Sequence, residues 1–381
     1  MDFFLTSEQR LIQETARKIA SQELAPNAAE LDRDLSFPWP GIKKLAEAGL
    51  LGTFIPLEYG GGGTDALSFV LVTEELGKAC ASTAFSTVAH AAASRGILIA
   101  GTETQKEKYL PPLARGEKLG SFAVHEGNSG VIAAAIETSA TLVGDHYIVN
   151  GSKIFNTNGG EAEVYLVLVR TDPSKGAQGI SMLILERGTP GFSFGKVDSR
   201  LGLNGVSSRE LIFQDCRVPR ENLLGEEGKG LPLTVSIAAF AMLGAGAVSL
   251  GIAQAALEAS IRHAKDRTIS GQPIGVHQAI QFLIAEMSAD VEAARSLLYT
   301  VAFKWDKAAI GSALDAFRAK LVTTEMAVAV TNKALQVHGG HGYTKDLPIE
   351  RYFRDARGIT LHFMTAEMLK GNIGKTLLGL S

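Results

Sequence analysis

The sequence predicts an α+β chain in three parts: a helical N-terminal domain, a small middle β-barrel or sandwich, and a C-terminal four-helix bundle. Three observations carry this. Apolar residues follow a capping signal at helical spacing near the N-terminus. Short, β-branched apolar runs separated by turn residues fill the stretch from Tyr147 to Phe213. From Leu231 onward, helical periodicity returns and lasts to the end. The expected domains are 1–120, 121–232 and 233–381.

In order, Thr6-Ser7-Glu8-Gln9 is a capping box, and Leu11, Ile12, Ala16 and Ile19 follow it on one helical face. Pro38, Pro40 and the run Gly60-Gly61-Gly62-Gly63 break helices. The glycine run lacks the Lys-Ser/Thr of a phosphate loop and reads as a turn. The pattern changes near Ser121. Tyr147–Phe155 reads as strand, tight turn at Asn150-Gly151, and strand. Val164–Val169, Ile180–Leu185 and Glu210–Phe213 add further strands. Helices are expected at 231–265, 275–306, 311–338 and 365–379.

Composition narrows the function. Of 381 residues, Lys and Arg number 37 and Asp and Glu 40, so a net charge of -3 gives no footprint for nucleic acid or an anionic membrane. Cys80 and Cys216 are the two cysteines; they form neither a metal motif nor a disulfide framework. No basic start followed by an apolar run marks Met1–Arg10, and the cytoplasm is the expected compartment. Leu231–Leu257 carries no charge and is long enough to span a bilayer. Its Ala and Gly content, with Pro232, Thr234, Ser236, Ser249 and Gln254, predicts a buried packing helix instead. Gly244-Ala245-Gly246 within it lacks dinucleotide-fingerprint spacing. His338 and His341 have no further ligand-type partners, so no metal site is expected.

Two stretches near the C-terminus carry chemistry: Gln336-Val337-His338-Gly339-Gly340-His341-Gly342-Tyr343, and Leu361-His362-Phe363-Met364-Thr365-Ala366-Glu367. They resemble the Q-x-x-G-G-x-G-[YF] turn and the Y-E-G-T-[AS]-[EQ] segment of the acyl-CoA dehydrogenase family. Residues 276–287 and 144–153 resemble that family's C-terminal-domain helix and β-domain hairpin, and the likeness spans almost the whole chain. It implies FAD bound between the β domain and the C-terminal bundle, completed by a neighbouring subunit. The implied FAD contacts are Val124, His125 and Gly130 along the flavin edge, Phe155 on the ring face and Thr157 near N5. Arg267 and Gln278 would reach across to the neighbour's FAD. Gln336, Gly339 and Gly340 would meet the pyrophosphate, and Thr365 and Glu367 the adenosine end. An acyl-CoA thioester substrate, an electron-transfer flavoprotein as acceptor, and a homotetramer or mixed tetramer are implied with it.

The departures from the family pattern cluster where substrate chemistry occurs. Phe363 stands where most members carry the glutamate that takes the α-proton. Some relatives carry that base on the long helix after the β domain; here Ala241 and Met242 occupy those positions. Neither does acid–base work. The family's Ser-Asp pair reads Val131-Ile132, and Arg267-Thr268-Ile269-Ser270-Gly271 lacks the usual aromatic. Val131, Met242, Phe363 and Met364 are the expected substrate contacts. His125 at the flavin edge and His90 on a pocket-lining helix are the candidate replacement bases; His362 is expected to point elsewhere. The resulting expectation is an FAD-dependent oxidoreductase acting on an unusual, cyclic or already unsaturated, acyl-CoA. The alternatives are a catalytically impaired partner subunit of a mixed oligomer and a flavin monooxygenase.

Overall fold

The computed structural model describes residues 5–129, 133–307 and 313–380. Helices α1 (Ser7–Ile19), α2 (Ala28–Asp34), α3 (Trp39–Glu47), α4 (Ala66–Ala79), α5 (Ala81–Ala100) and α6 (Glu103–Ala114) form the first part. Thr6 and Gln9 close the capping box reciprocally, at 3.1 and 3.0 Å. Helices α4 and α5 are buried on nearly every face.

Strands β1 (Gly120–Ala123), β2 (Ser139–Val143), β3 (His146–Thr157), β4 (Val164–Arg170), β5 (Ile180–Glu186), β6 (Phe192–Val197) and β7 (Ser208–Pro219) make one seven-stranded sheet. The strand order is β1-β4-β2-β3-β7-β6, with β5 also pairing to β4. The uninterrupted apolar runs of β4 and β5 are explained by burial along their length. Strands β3 and β7 pair antiparallel; β3 runs unbroken through Asn150-Gly151, so the tight turn expected there is instead a register shift between Val149 and Gly151, and a second irregularity lies between Lys153 and Asn156. This bulge re-aims the chain: Phe155 takes a left-handed φ of 55° and stands 62% exposed on the sheet.

The last part holds α7 (Gly230–Asp266), α8 (Gln278–Trp305), α9 (Ala313–His338), α10 (Ile349–Ile359) and α11 (Ala366–Leu378). The most apolar window of α7 is 89% buried within the chain, as a packing helix should be. Glycines let α4 and α7 cross with their backbones nearly touching. A Cβ on Gly251 would lie 2.2 Å from the Glu74 carbonyl, and one on Gly77 would lie 2.8 Å from Val248. Gly244 likewise packs against Phe69 and Val88. Helices α7 and α9 run parallel, since Phe317 clusters with Met242 at one end and His338 stacks on His263 at the other. Helix α10 was not expected. Its apolar stripe (Ile349, Tyr352, Phe353, Ala356, Ile359) lies among charged residues that mask it.

Candidate active site

Two elements meet at the first half of the site. Strand β1 runs on into Val124 and His125, and the Ile154 N–H of β3 donates to the His125 carbonyl at 2.9 Å. Val124 is buried and His125 half-buried. Beyond this clamp β3 presents exposed Phe155 and half-buried Thr157, which puts four expected flavin contacts on neighbouring strands. Gly130 and Val131, expected contacts of cofactor and substrate, lie outside the described residues.

The other element is the turn between α10 and α11. Fully buried Lys320 of α9 ties it down, its Nζ donating to the Thr360 and Met364 carbonyls at 3.0 and 2.7 Å. Within this turn Phe363 adopts a left-handed φ of 61°. Its ring lies 5.9 Å from that of Phe85 on α5. The ring of His362 meets Phe85 edge-on at 4.5 Å. The Nδ1–H of His362 donates to the Gly358 carbonyl at 2.8 Å, so the ring is held in one tautomer. Burial pushes this imidazole down to about 4 against the pull of the Gly358 bond, and nearby Arg200, Lys320 and His125 add to the push. His362 therefore packs on Phe85 beside Phe363, with its Nδ1 engaged by the Gly358 carbonyl of the preceding helix.

Two site expectations need correction. His90 is fully buried inside the chain, where its Nδ1 accepts the Gly120 N–H at 3.2 Å. Its acceptor nitrogen is thereby occupied, and burial pushes the ring down to about 4. It braces α5 against β1 and has no open face from which to take a proton. Met242 is also fully enclosed, among Ala238, Phe317 and Leu369, so its influence reaches a ligand only through Phe363 and Met364, which pack on that cluster. Ala241 is buried beside it.

A second group lies at the other end of the bundle. Arg267 caps the C-terminus of α7, Gln278 begins α8 and Gln336 sits in the last turn of α9; all three are exposed. Gly339 has a φ of 57°, and nothing lies within 4 Å of a Cβ built on Gly339 or Gly340. His263 stacks on His338 at 4.3 Å. His263 is shifted down chiefly by burial. Arg267 caps the helix that carries His263 and Gly339 follows His338, so the stacked pair brings the arginine and the glycine turn to the same end of the bundle. An open backbone turn beside an arginine fits the pyrophosphate of FAD. Thr365 has a structural duty too: it caps α11, accepting the Met368 N–H at 3.4 Å. Glu367 is held below the usual carboxylate range by the backbone N–H of that first turn and the Thr365 hydroxyl. With Arg357, Phe353 and Leu361 it lines a surface cavity of about 550 Å³.

These groups are far apart on one chain. Phe317 and His338 are 21 residues apart on α9, or about 32 Å at 1.5 Å per residue.

Comparison with known proteins places this geometry. Residues 6–117, 121–216 and 228–378 match the models of the acyl-CoA dehydrogenase N-terminal, middle and C-terminal domains. The chain is 42% identical to the short-chain specific acyl-CoA dehydrogenase of Clostridium acetobutylicum, over 97% of this chain and 98% of that one. It is 43% identical to the acryloyl-CoA reductase (NADH) of Anaerotignum propionicum, over 99% and 96%. The solved butyryl-CoA dehydrogenase of Megasphaera elsdenii superposes with a TM-score of 0.97 at 40% identity, covering 99% of this chain and 100% of that one.

Proposed function

Because this chain belongs to the acyl-CoA dehydrogenase family, it is an FAD-dependent oxidoreductase acting on CH–CH groups, and we propose that its substrate is a cyclic or already unsaturated acyl-CoA thioester. Phe363 carries this reading. Its phenyl ring packs on Phe85 where a carboxylate would be needed to pull an α-proton from a saturated thioester. When bound, FAD supplies the hydride chemistry. The chain's own residues orient it and govern the proton. Val124, Phe155 and Thr157 offer one wall, while Phe85, Phe363 and Met364 offer an apolar wall that excludes water. His125 carries the proton at the junction between them, since imidazole titrates near neutrality. Adding a proton to the carbon beside a thioester carbonyl is less demanding than removing one. This favours reduction of an unsaturated substrate, and the similarity to an acryloyl-CoA reductase supports it.

The separation of about 32 Å between the Phe363 and Gly339 ends supports a homotetramer or mixed tetramer in which each FAD is completed by a neighbour. It also favours a second reading, a partner subunit that lends Arg267 and Gln278 to another chain's site. An electron-transfer flavoprotein is the proposed redox partner, and the cytoplasm the proposed compartment. The test is anaerobic spectroscopy. Cyclic acyl-CoAs should bleach the oxidised flavin, or 2-enoyl-CoAs reoxidise the reduced one, while butyryl-CoA does neither at family rates. If no thioester changes the flavin in either direction, the partner-subunit reading replaces the first.

A further inference from the structure

Lys153 of β3 is fully buried, yet it carries a charge. Its Nζ donates to Glu126 Oε1 at 2.6 Å and to the Val124 carbonyl at 3.3 Å. The Glu126 carboxylate in turn collects the Glu137 N–H at 2.6 Å and the Thr138 N–H at 3.0 Å. Ser129 Oγ accepts the Glu126 N–H at 3.3 Å. One buried ion pair therefore grips the chain on both sides of His125 and joins the start of the 126–138 loop to its end. Lys153 also lies immediately before the bulge that turns Phe155 outward.

A buried ion pair is seldom favourable for stability alone, because desolvation offsets the attraction. What it supplies here is a fixed position. We infer that Lys153 and Glu126 are positioning residues that set His125, Phe155 and Thr157 against the flavin. The inference rests on the reading of the chain as an FAD enzyme. Burial pushes Lys153 down to about 8 against the pull of Glu126, the charged group facing it. Glu126, despite burial, is held below its ordinary range by Lys153 and the loop N–H groups. The grip should therefore loosen as the pH rises through about 8. Unfolded lysine still holds its proton there, so the unfolded chain binds more protons and this group does not weaken folding in that window. Loss of FAD there reports the local grip rather than the fold.

The test is titration of apoprotein with FAD, followed by flavin fluorescence and the visible spectrum. Lys153→Met should bind FAD roughly tenfold more weakly and with altered visible bands, whereas Lys153→Arg should restore binding and lose the decline near pH 8. Lys153→Met leaves a buried carboxylate unpaired and could fail to fold. The double variant Lys153→Met/Glu126→Gln removes both charges; it should fold by circular dichroism and still show the weak binding and altered spectrum. Folded variants with wild-type affinity and spectrum would overturn the positioning role alone. A wild-type chain that takes up no FAD would overturn the functional reading and this inference with it.

Discussion

The phenyl ring at position 363, on which the proposed substrate class rests, is also a packing group. It fills space against Phe85 and holds a left-handed backbone that ordinary side chains avoid. Phe363→Glu should lose about 0.5–1.5 kcal/mol of aromatic pairing. If the carboxylate reaches the α-carbon, it should raise butyryl-CoA oxidation by about 10²–10⁴; unchanged butyryl-CoA turnover in a folded variant would show that more than the base is missing. If His125 delivers the proton in reduction, the rate should fall as the pH rises through its titration, and His125→Thr should lose that limb and most activity. Full activity with the same pH profile would remove His125 from the mechanism. His90 makes a stability prediction. Its folded pKa of about 4 lies below the ordinary 6.5. As the pH falls from 6.5 toward 4, the unfolded chain takes the proton first, so stability is lost over that range, by up to about 3 kcal/mol. Thermal unfolding of His90→Gln should show a shallower acid slope than wild type. The place of Phe363 within the family-like motif was legible because a motif is local. The packing of His362 on Phe85, and the pairing of Lys153 with Glu126, were not, because spacing along a chain is silent about which loops fold together. A lysine between the apolar strand residues Val149 and Ile154 was nonetheless a signal, since a charge on a buried strand face demands a partner.

At the scale of elements, the crossing of α4 on α7 is a tight constraint. The Gly251 backbone sits where a methyl group would strike the Glu74 carbonyl at 2.2 Å, and both helices are long and buried. Gly251→Ala should force them apart and cost about 1–3 kcal/mol, measured as a lowered denaturation midpoint with an unchanged denaturant slope. A midpoint equal to wild type would mean the bundle absorbs the shift. The capping box on α1 and the buried character of α7 could be read directly from residue types, because both follow from local chemistry and periodicity. The bulge at Phe155 could not. It arises from a mismatch in register between β3 and β7, and register is settled by the pairing of distant strands.

The whole molecule is where the two halves of the expected cofactor site have to be reconciled. The wall made by Val124, Phe155, Thr157 and Phe363 belongs to one end of the chain's architecture. Arg267, Gln278 and the Gly339-Gly340 turn belong to the other, about 32 Å along the helices. In the proposed assembly a flavin held by the first group of one chain is met by the second group of another, and retention of FAD is then expected to be a property of the assembly. Complementation tests this directly. Phe155→Ala should damage the first half and Arg267→Ala the second, and because both side chains are exposed, neither should harm the fold. Each variant alone should retain FAD poorly. When the two are dissociated together and reassociated, half of the pairs should be hybrids, and each hybrid pair holds one site with both halves intact. Roughly a quarter of all sites should then regain tight FAD, counted from flavin absorbance after gel filtration. Recovery no greater than the mean of the two variants alone would show that each chain binds its cofactor by itself.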